Sequence, residues 1–512
     1  MTEPDRKHRL LVASNRGPVT FRVADGGEFV ARRGGGGLVT ALGGLARLHQ
    51  VTWVSHALGE GDVAMRDSVG GVAFEEHARG GGSYDLRIVG TPDLTYDRYY
   101  HELANPLLWF LQHRLYGFGW DPTITRRTHA AWGAYRDVNA RIADALIEEL
   151  EQAQQAQPDD ELPFVMVHDY HLFLVPGMLR ERAPEGAERP FVQFFLHIPW
   201  PDPGAWRALP RSWAKEVCES LLACEIVGFQ TPRDAENFLR TVHHFLGASV
   251  EFRTGTVRYM GAITRVRTYP ISVAVDEFEE HAQSATVRRL RDRISAMRPA
   301  GRDGGGQLIV RVDRTDPSKN IVRGFKAYAL LLEEHPELHG EVSMFCQLDP
   351  SRQDIAEYVD YLAQVKQAAN EVNHRFATTD WMPLHVNLDS NFQAGVAAYC
   401  EYDVLFVNPV ADGMNLVSKE GPLVNERDGA VVLSDQAGSF NELGPYVVPA
   451  NPFDIAQQAD AMLDALRMPA HARAERAERM RRQVREHDVR DWMDAQLADI
   501  SALQAGEPMV AR

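Results

Sequence analysis

Short runs of apolar residues recur at wide intervals along this chain: LLVAS at 10–14, VTWVS at 51–55, FVMVHD at 164–169, FVQFFLH at 191–197, EIVGFQ at 225–230, LIVRVD at 308–313, VSMFCQ at 342–347 and DVLFVNP at 403–409. Each is strand-length and stops at a polar, glycine or proline residue. Between several of them lie stretches such as HAAWGAYRDVNARIADALIEELEQA and NIVRGFKAYALLLEEH, whose apolar residues return every three or four positions, the spacing of an amphipathic helix. Apolar strands alternating with such helices predict βαβ units and an α/β fold of doubly wound parallel sheets.

A chain of 512 residues exceeds the size at which one hydrophobic core stops growing, so two large domains are expected. The break falls near Pro270, where RVRTYPISVAVDEFEEH turns from a strand-like run into an acidic stretch, and a glycine turn at 304–306 leads into the next strand. The predicted division is 1–270, an N-terminal Rossmann-like domain; 271–485, a second Rossmann-like domain; and 486–512, a C-terminal helix packing back on the first. Residues 467–503, dense in Ala, Arg and Glu, read as one or two terminal helices.

Composition narrows the partners. A formal charge of -17 opposes broad binding to nucleic acid or an anionic membrane, so any phosphate site is local. Cys218, Cys224, Cys346 and Cys400 show neither C-x-x-C spacing nor a secreted framework, which predicts buried thiols, no metal site and a reducing compartment. The N-terminus lacks the pattern of a signal peptide, and no apolar run approaches the ~20 residues needed to span a bilayer. A cytoplasmic protein with small-molecule substrates is expected, and a homo-oligomer is compatible.

Candidate chemistry sits at the strand ends. SNRGP at 14–18 is followed, after a predicted hairpin, by RRGGGGL at 32–38; such a glycine run before a helix brings backbone N–H groups close to an anion, while a flexible hairpin end is the alternative. VHDYH at 167–171 and HIPWP at 197–201 place Asp169 and His197 just past apolar strands, where open α/β sheets bind ligands, although a lone histidine is more often a satisfied structural residue than a catalyst. VDRTDPSKN at 312–320 sets Arg314 and Lys319 five residues apart before a helix, which suits a diphosphate. Asp316 or Ser318 capping that helix is the plainer reading. NPVADGMNLVSKEGP at 408–422 offers another helix start with Asp412 and Glu420, as hydroxyl-binding carboxylates or as a cap and a solvated face.

The ordered set SNRGP, GGGGL, YYHELANPLLW, HDYHL, HIPWP, GFQT, VDRTDPSKN, DGMNLVSKE and LSDQAGSFNELG resembles the trehalose-6-phosphate synthase family. The resemblance implies the GT-B fold, two Rossmann-like domains facing a central cleft. It also implies a retaining transfer of glucose from a nucleoside diphosphate glucose to glucose 6-phosphate, without a cofactor. Carried over by motif, it assigns Arg16, His56, Tyr100, Trp109, Asp169 and Arg352 to the acceptor. It assigns Gly36, Gly37, Arg314, Lys319, Asp412, Gly413, Met414, Asn415, Leu416 and Glu420 to the donor. The chemistry falls to His197, Arg314, Lys319 and Asp169.

Two departures stand out. His56 occupies the place of a family tryptophan, with Trp53 three residues earlier. RTDPSKN and EGPLVNERDG resemble a sister branch, the validoxylamine 7'-phosphate synthases, which use a guanosine nucleotide, and this leans the donor toward GDP-glucose over UDP-glucose. The GGGGL loop and the aromatic segment favour the sugar-transferring branch over that pseudo-glycosyltransferase. A non-catalytic sugar-phosphate sensor would keep the same groups. A phosphorylase-like enzyme would need a pyridoxal-phosphate lysine, for which no segment speaks.

Overall fold

The computed structural model describes residues 8–34, 49–77, 82–116, 121–157, 161–183, 189–302 and 304–506. The chain forms two compact units: the first comprises residues 1–112, 121–269 and 493–512, the second 113–120 and 270–492.

The first unit is built on strands β1 (Arg9–Arg16), β4 (Gln50–His56), β5 (Phe74–His77), β6 (Ser83–Val89), β7 (Phe164–His168), β8 (Val192–Phe195), β9 (Ile226–Phe229), β10 (Ser249–Glu251), β11 (Thr256–Tyr259) and β12 (Ala262–Thr268), with β2 (Val19–Val23) and β3 (Phe29–Arg33) as a separate antiparallel hairpin. The ten run in the order β10-β11-β12-β9-β8-β7-β1-β4-β6-β5. From β12 to β6 every pairing is parallel, and antiparallel strands close both edges. The inner strands read as unbroken apolar runs because both faces are covered: all of β7, β8 and β9 is buried, as parallel sheets require.

The second unit carries β13 (Gln307–Arg314), β14 (Val342–Asp349), β15 (Leu384–Leu388), β16 (Val404–Val407), β17 (Ala430–Ser434) and β18 (Val448–Ala450), all parallel, in the order β15-β14-β13-β16-β17-β18. Alternate residues feed opposite faces. Ile309, Met344, Val404 and Phe406 enter one apolar cluster, while Leu308, Val310, Phe345 and Leu405 enter the other.

In each sheet the strand order reverses beside the first strand. β1 is followed in sequence on one side by β4 and β6 and on the other by β7, β8 and β9; β13 is followed by β14 and β15 on one side and by β16 onward on the other. Diverging connections leave a crevice at such a switch point, outside the carboxyl ends of the strands.

The periodic stretch around 129–153 is a helix, Arg126–Ala156, begun by a Thr125–Thr128 capping box. Its buried stripe, Trp132, Tyr135, Val138, Ile142, Leu146 and Leu150, keeps the three- and four-residue steps of a core-facing helix. The Ala/Arg/Glu-rich end of the chain holds Ile455–Arg467, Ala470–Glu486 and Val489–Gln504, so two helix breaks interrupt it. Residues of the last helix join the first unit through polar contacts: Gln193 donates to Gln496 at 2.5 Å and Tyr269 to Asp499 at 2.8 Å. The four cysteines are free and buried. No described helix is long and apolar enough to cross a membrane.

Candidate active site

At the switch point of the first sheet, β1 ends in a bulge between Ser14 and Arg16. Ser14 accepts the indole N–H of Trp53 at 2.8 Å and donates to the Arg16 carbonyl at 2.8 Å, so a buried tryptophan sets the kink that leaves Arg16 exposed. Asn15 is buried and accepts from Tyr99 at 2.7 Å. The next strand across the switch, β7, is followed directly by Asp169, which sits at φ 76°. That region is sparsely populated by non-glycine residues and persists only where surroundings impose it.

The surroundings here are the Arg126–Ala156 helix. Tyr135 donates to the Tyr170 carbonyl at 2.6 Å and accepts from Phe173 N at 3.0 Å; Asn139 donates to the His171 carbonyl at 3.1 Å and accepts from Leu174 N at 3.0 Å. Two buried side chains one helical turn apart thus replace the hydrogen bonds that a chain turning out of a strand loses.

An aromatic group collects beside it. Residues Arg98–Leu108 form a wide π-type helix with Pro106 inside it, a form common at functional sites. Tyr100 stacks on Tyr96 and on His171, with centroids 5.6 and 5.9 Å apart. Trp109 packs 5.6 Å from Tyr170. His56, buried, lies 5.8 Å from Tyr96 and 6.1 Å from Tyr99. Burial pushes its imidazole down to about 4, so it is neutral. His197, just past β8, donates its backbone N–H to Asp169 Oδ1 at 3.4 Å, and its Nε2 is 3.3 Å from Nδ1 of His168.

In the second sheet, β13 and β16 flank the switch point and the two motifs that follow them meet. Lys319 pairs with Asp412, which also accepts from Asn415 Nδ2 at 3.0 Å. Asp412 is held below the usual carboxylate range: burial alone would raise it, but the Lys319 ammonium outweighs that. Asn415 adopts φ 71° and its Oδ1 is buried without a hydrogen bond among the described residues. Leu416 precedes the helix Val417–Val424 with no side-chain cap, Met414 is buried, and Gly413 lies in the same turn.

Asp316 caps only the short Pro317–Lys319 turn, its Oδ1 accepting from Ser318 N at 2.9 Å and Ser318 Oγ at 2.7 Å, while the helix Ile321–Glu334 starts at Asn320 with no side-chain cap. Lys319 is not merely solvated, and Asp412 and Glu420 are not caps. Arg314, half-buried at the end of β13, acts with Arg352 on Asp316 and offsets the cost of burying that carboxyl, bringing it down to about 2. Arg352, at φ 50°, lies 3.5 Å from Asp316 and 5.3 Å over the Tyr358 ring. It stands in the second unit, where it shares Asp316 with Arg314. Glu420 accepts from Tyr399 at 3.1 Å, and burial pushes its carboxyl up to about 7.

The structure therefore gathers Arg16, His56, Tyr100, Trp109, Asp169 and His197 around one switch point and Arg314, Lys319, Arg352, Asp412, Asn415 and Glu420 around the other. Gly36 and Gly37 lie outside the described residues. Sequence reasoning passed over Arg311, fully buried in β13. It donates to Asn408 Oδ1 at 2.6 Å and to the Lys319 carbonyl, and pairs with Asp313 at 2.7 Å, tying β13, β16 and the Lys319 turn together. An arginine inside an otherwise apolar strand was its signal, since such a charge is buried only with partners. Among the described residues no three His, Cys, Asp or Glu side chains form a metal-binding group.

Two Rossmann-like sheets with polar groups concentrated at their switch points define an α/β enzyme of the GT-B class. The model of glycosyltransferase family 20 matches residues 8–502. The chain belongs to that family, the trehalose-6-phosphate synthases, which are retaining hexosyltransferases. It is 32% identical over 498 residues to alpha,alpha-trehalose-phosphate synthase [UDP-forming] 2 of Aspergillus niger, covering 96% of this chain and 97% of the relative. The corresponding UDP-forming synthase of Schizosaccharomyces pombe is 31% identical over 98% of this chain and 92% of its own. Among solved structures, the Escherichia coli trehalose-6-phosphate protein bound with UDP-2-fluoro glucose superposes with a TM-score of 0.79 at 27% identity, over 96% of this chain and 98% of that one. A UDP-forming synthase from Burkholderia xenovorans in complex with glucose 6-phosphate gives 0.78 at 28% identity, over 96% and 100%.

Proposed function

We propose that this enzyme transfers glucose, with retention, from UDP-glucose to glucose 6-phosphate and releases trehalose 6-phosphate and UDP. The observation that carries the reading is the meeting of Lys319 with Asp412 and Asn415 where β13 and β16 diverge, with Arg314 on the same strand end. Two cations and a helix start form a diphosphate site.

In this reading Arg314 and Lys319 stabilise the charge that grows on the departing diphosphate, whose oxygen helps take the acceptor hydroxyl's proton. The Val417–Val424 helix start and its preceding turn, with Gly413, Met414, Asn415 and Leu416, bind the nucleotide, and Glu420 accepts from ribose hydroxyls. Arg16 and Arg352 meet phosphate, while Tyr100, Trp109, His56 and Asp169 hold the acceptor hexose. His197 faces the reacting sugar. No carboxylate nucleophile is required of any of them.

The names of the relatives support uridine as the donor base, against the lean toward guanosine drawn from RTDPSKN. A panel of UDP-glucose and GDP-glucose with glucose 6-phosphate, glucose and an aminocyclitol phosphate tests all of this, with nucleotide release and product mass as readouts. Fast release only with UDP-glucose and glucose 6-phosphate is expected. Release only with GDP-glucose overturns the choice of base, and binding without release overturns the transfer.

A further inference from the structure

The hairpin of β2 and β3 stands apart from both large sheets, so each of its strands has an outer edge. The β2 edge is covered by the start of the helix Glu60–Ser68. Phe21 donates its backbone N–H to Asp62 Oδ1 at 2.6 Å, and a side chain at Gly61 would meet the Phe21 carbonyl. On the β3 side all five residues are exposed.

The ladder fixes which groups of β3 point outward. Ala24 N donates to the Glu28 carbonyl at 2.9 Å and Gly34 N to the Pro18 carbonyl at 2.8 Å, and these pairs continue the register that runs from Val23↔Phe29 to Val19↔Arg33. Hydrogen-bonded and non-hydrogen-bonded pairs alternate in an antiparallel ladder. The even-numbered residues of β3 therefore bond to β2, and the backbone N–H and C=O groups of Phe29, Ala31 and Arg33 point away from it. Such an edge is a template for a further strand.

A second copy of this chain matches it. Glu28 and Arg32 lie four residues apart on one face, and neither side chain makes an ion pair or a hydrogen bond among the described residues. A two-fold axis exchanges each facing pair with its mirror pair, so both are of the same hydrogen-bonding kind and the axis passes through a residue that faces itself. With Val30 on the axis, each Glu28 faces Arg32 of the other copy, Val30 faces Val30, and Phe29 and Ala31 exchange their outward backbone bonds. With Ala31 on the axis, Val30 faces Arg32 and Phe29 faces Arg33; with Arg32 on it, like charges meet. Against a foreign strand these charges guard the edge, whereas against the copy they are complementary.

We propose that two copies of this chain pair antiparallel through β3, about Val30, to form a continuous β2-β3-β3-β2 sheet. Sedimentation of the full chain between about 5 and about 500 µM, the range that suits an interface below standard size, shows a monomer–dimer equilibrium. Ala31→Pro removes an N–H that β2 does not use, so it weakens the dimer about tenfold or more while the thermal midpoint stays within about 2 °C. Glu28→Arg and Arg32→Glu each weaken it about tenfold, and an equimolar mixture of these two variants associates within about threefold of the wild type, because every facing pair in the mixed dimer is again of unlike charge. A wild-type monomer throughout that range, an Ala31→Pro dimer of wild-type strength, or a mixture no tighter than its components overturns the proposal.

Discussion

Replacing Lys319 by alanine separates two consequences of one ion pair. The Lys319 and Asp412 side chains are 15% and 14% exposed, so the pair is screened far less than a surface pair. At an effective dielectric near 20, unit charges about 4 Å apart attract by about 4 kcal/mol. Removing one partner of a buried pair costs about 3–5 kcal/mol because the other charge stays behind. Asn415 still donates to Asp412 at 3.0 Å, which places the expected loss near the lower end, about 3 kcal/mol. Turnover is expected to fall by about 10²-fold or more, as for other preorganised donors at a leaving group. The Lys319→Met, Asp412→Asn double variant removes both charges; it should regain stability to within about 1 kcal/mol and yet remain slow. Urea denaturation gives the first quantity and nucleotide release the second. Wild-type turnover in Lys319→Ala, or recovery of turnover in the double variant, refutes the role given to this lysine.

Three further outcomes are expected. Glu420, raised to about 7 by burial, gains its charge as pH rises from 6 to 8, so the donor KM should fall about tenfold over that range; Tyr399→Phe moves the midpoint up and Glu420→Gln flattens the curve, and an unshifted midpoint in Tyr399→Phe counts against it. Because its folded value exceeds 4.5, the stability Glu420 contributes is full below pH 4.5 and lost as pH rises through 7. His56 and His168, lowered to about 4 and about 3, refuse protons that the unfolded chain accepts below its 6.5, so the first unit loses stability between pH 6.5 and 5, approaching about 1.4 kcal/mol per pH unit for each ring; His56→Gln should lower that slope, and an equal slope opposes the assignment. Lys419, fully buried and bonded at 2.9 Å to both Glu442 oxygens and to the Ile271 carbonyl, is structural: Lys419→Met should lower stability by about 3–5 kcal/mol while kcat per folded molecule stays within about twofold.

What the sequence disclosed follows from how parallel sheets are covered. β7, β8 and β9 are buried on both faces and so appear as unbroken apolar runs, and the stripe from Trp132 to Leu150 keeps helical period. The short polar edge strands β5 and β10 carry no such pattern. The π-type helix Arg98–Leu108 departs from the 3.6-residue period and contains Pro106, which a periodicity argument reads as a break. At the sites, strand ends were visible as motifs but their partners were not. Lys319 meets Asp412 across 93 residues and His197 meets His168 across 29, contacts that depend on strand order and register. Arg352 shares Asp316 with Arg314, a link between the turns after β13 and β14 that motif spacing does not show.

The most direct test is a proton NMR time course of the purified enzyme with equimolar UDP-glucose and glucose 6-phosphate. The account predicts one new α,α-linked anomeric pair appearing in step with UDP, in equal amounts. A β-configured product, or UDP and free glucose without any disaccharide, would contradict it.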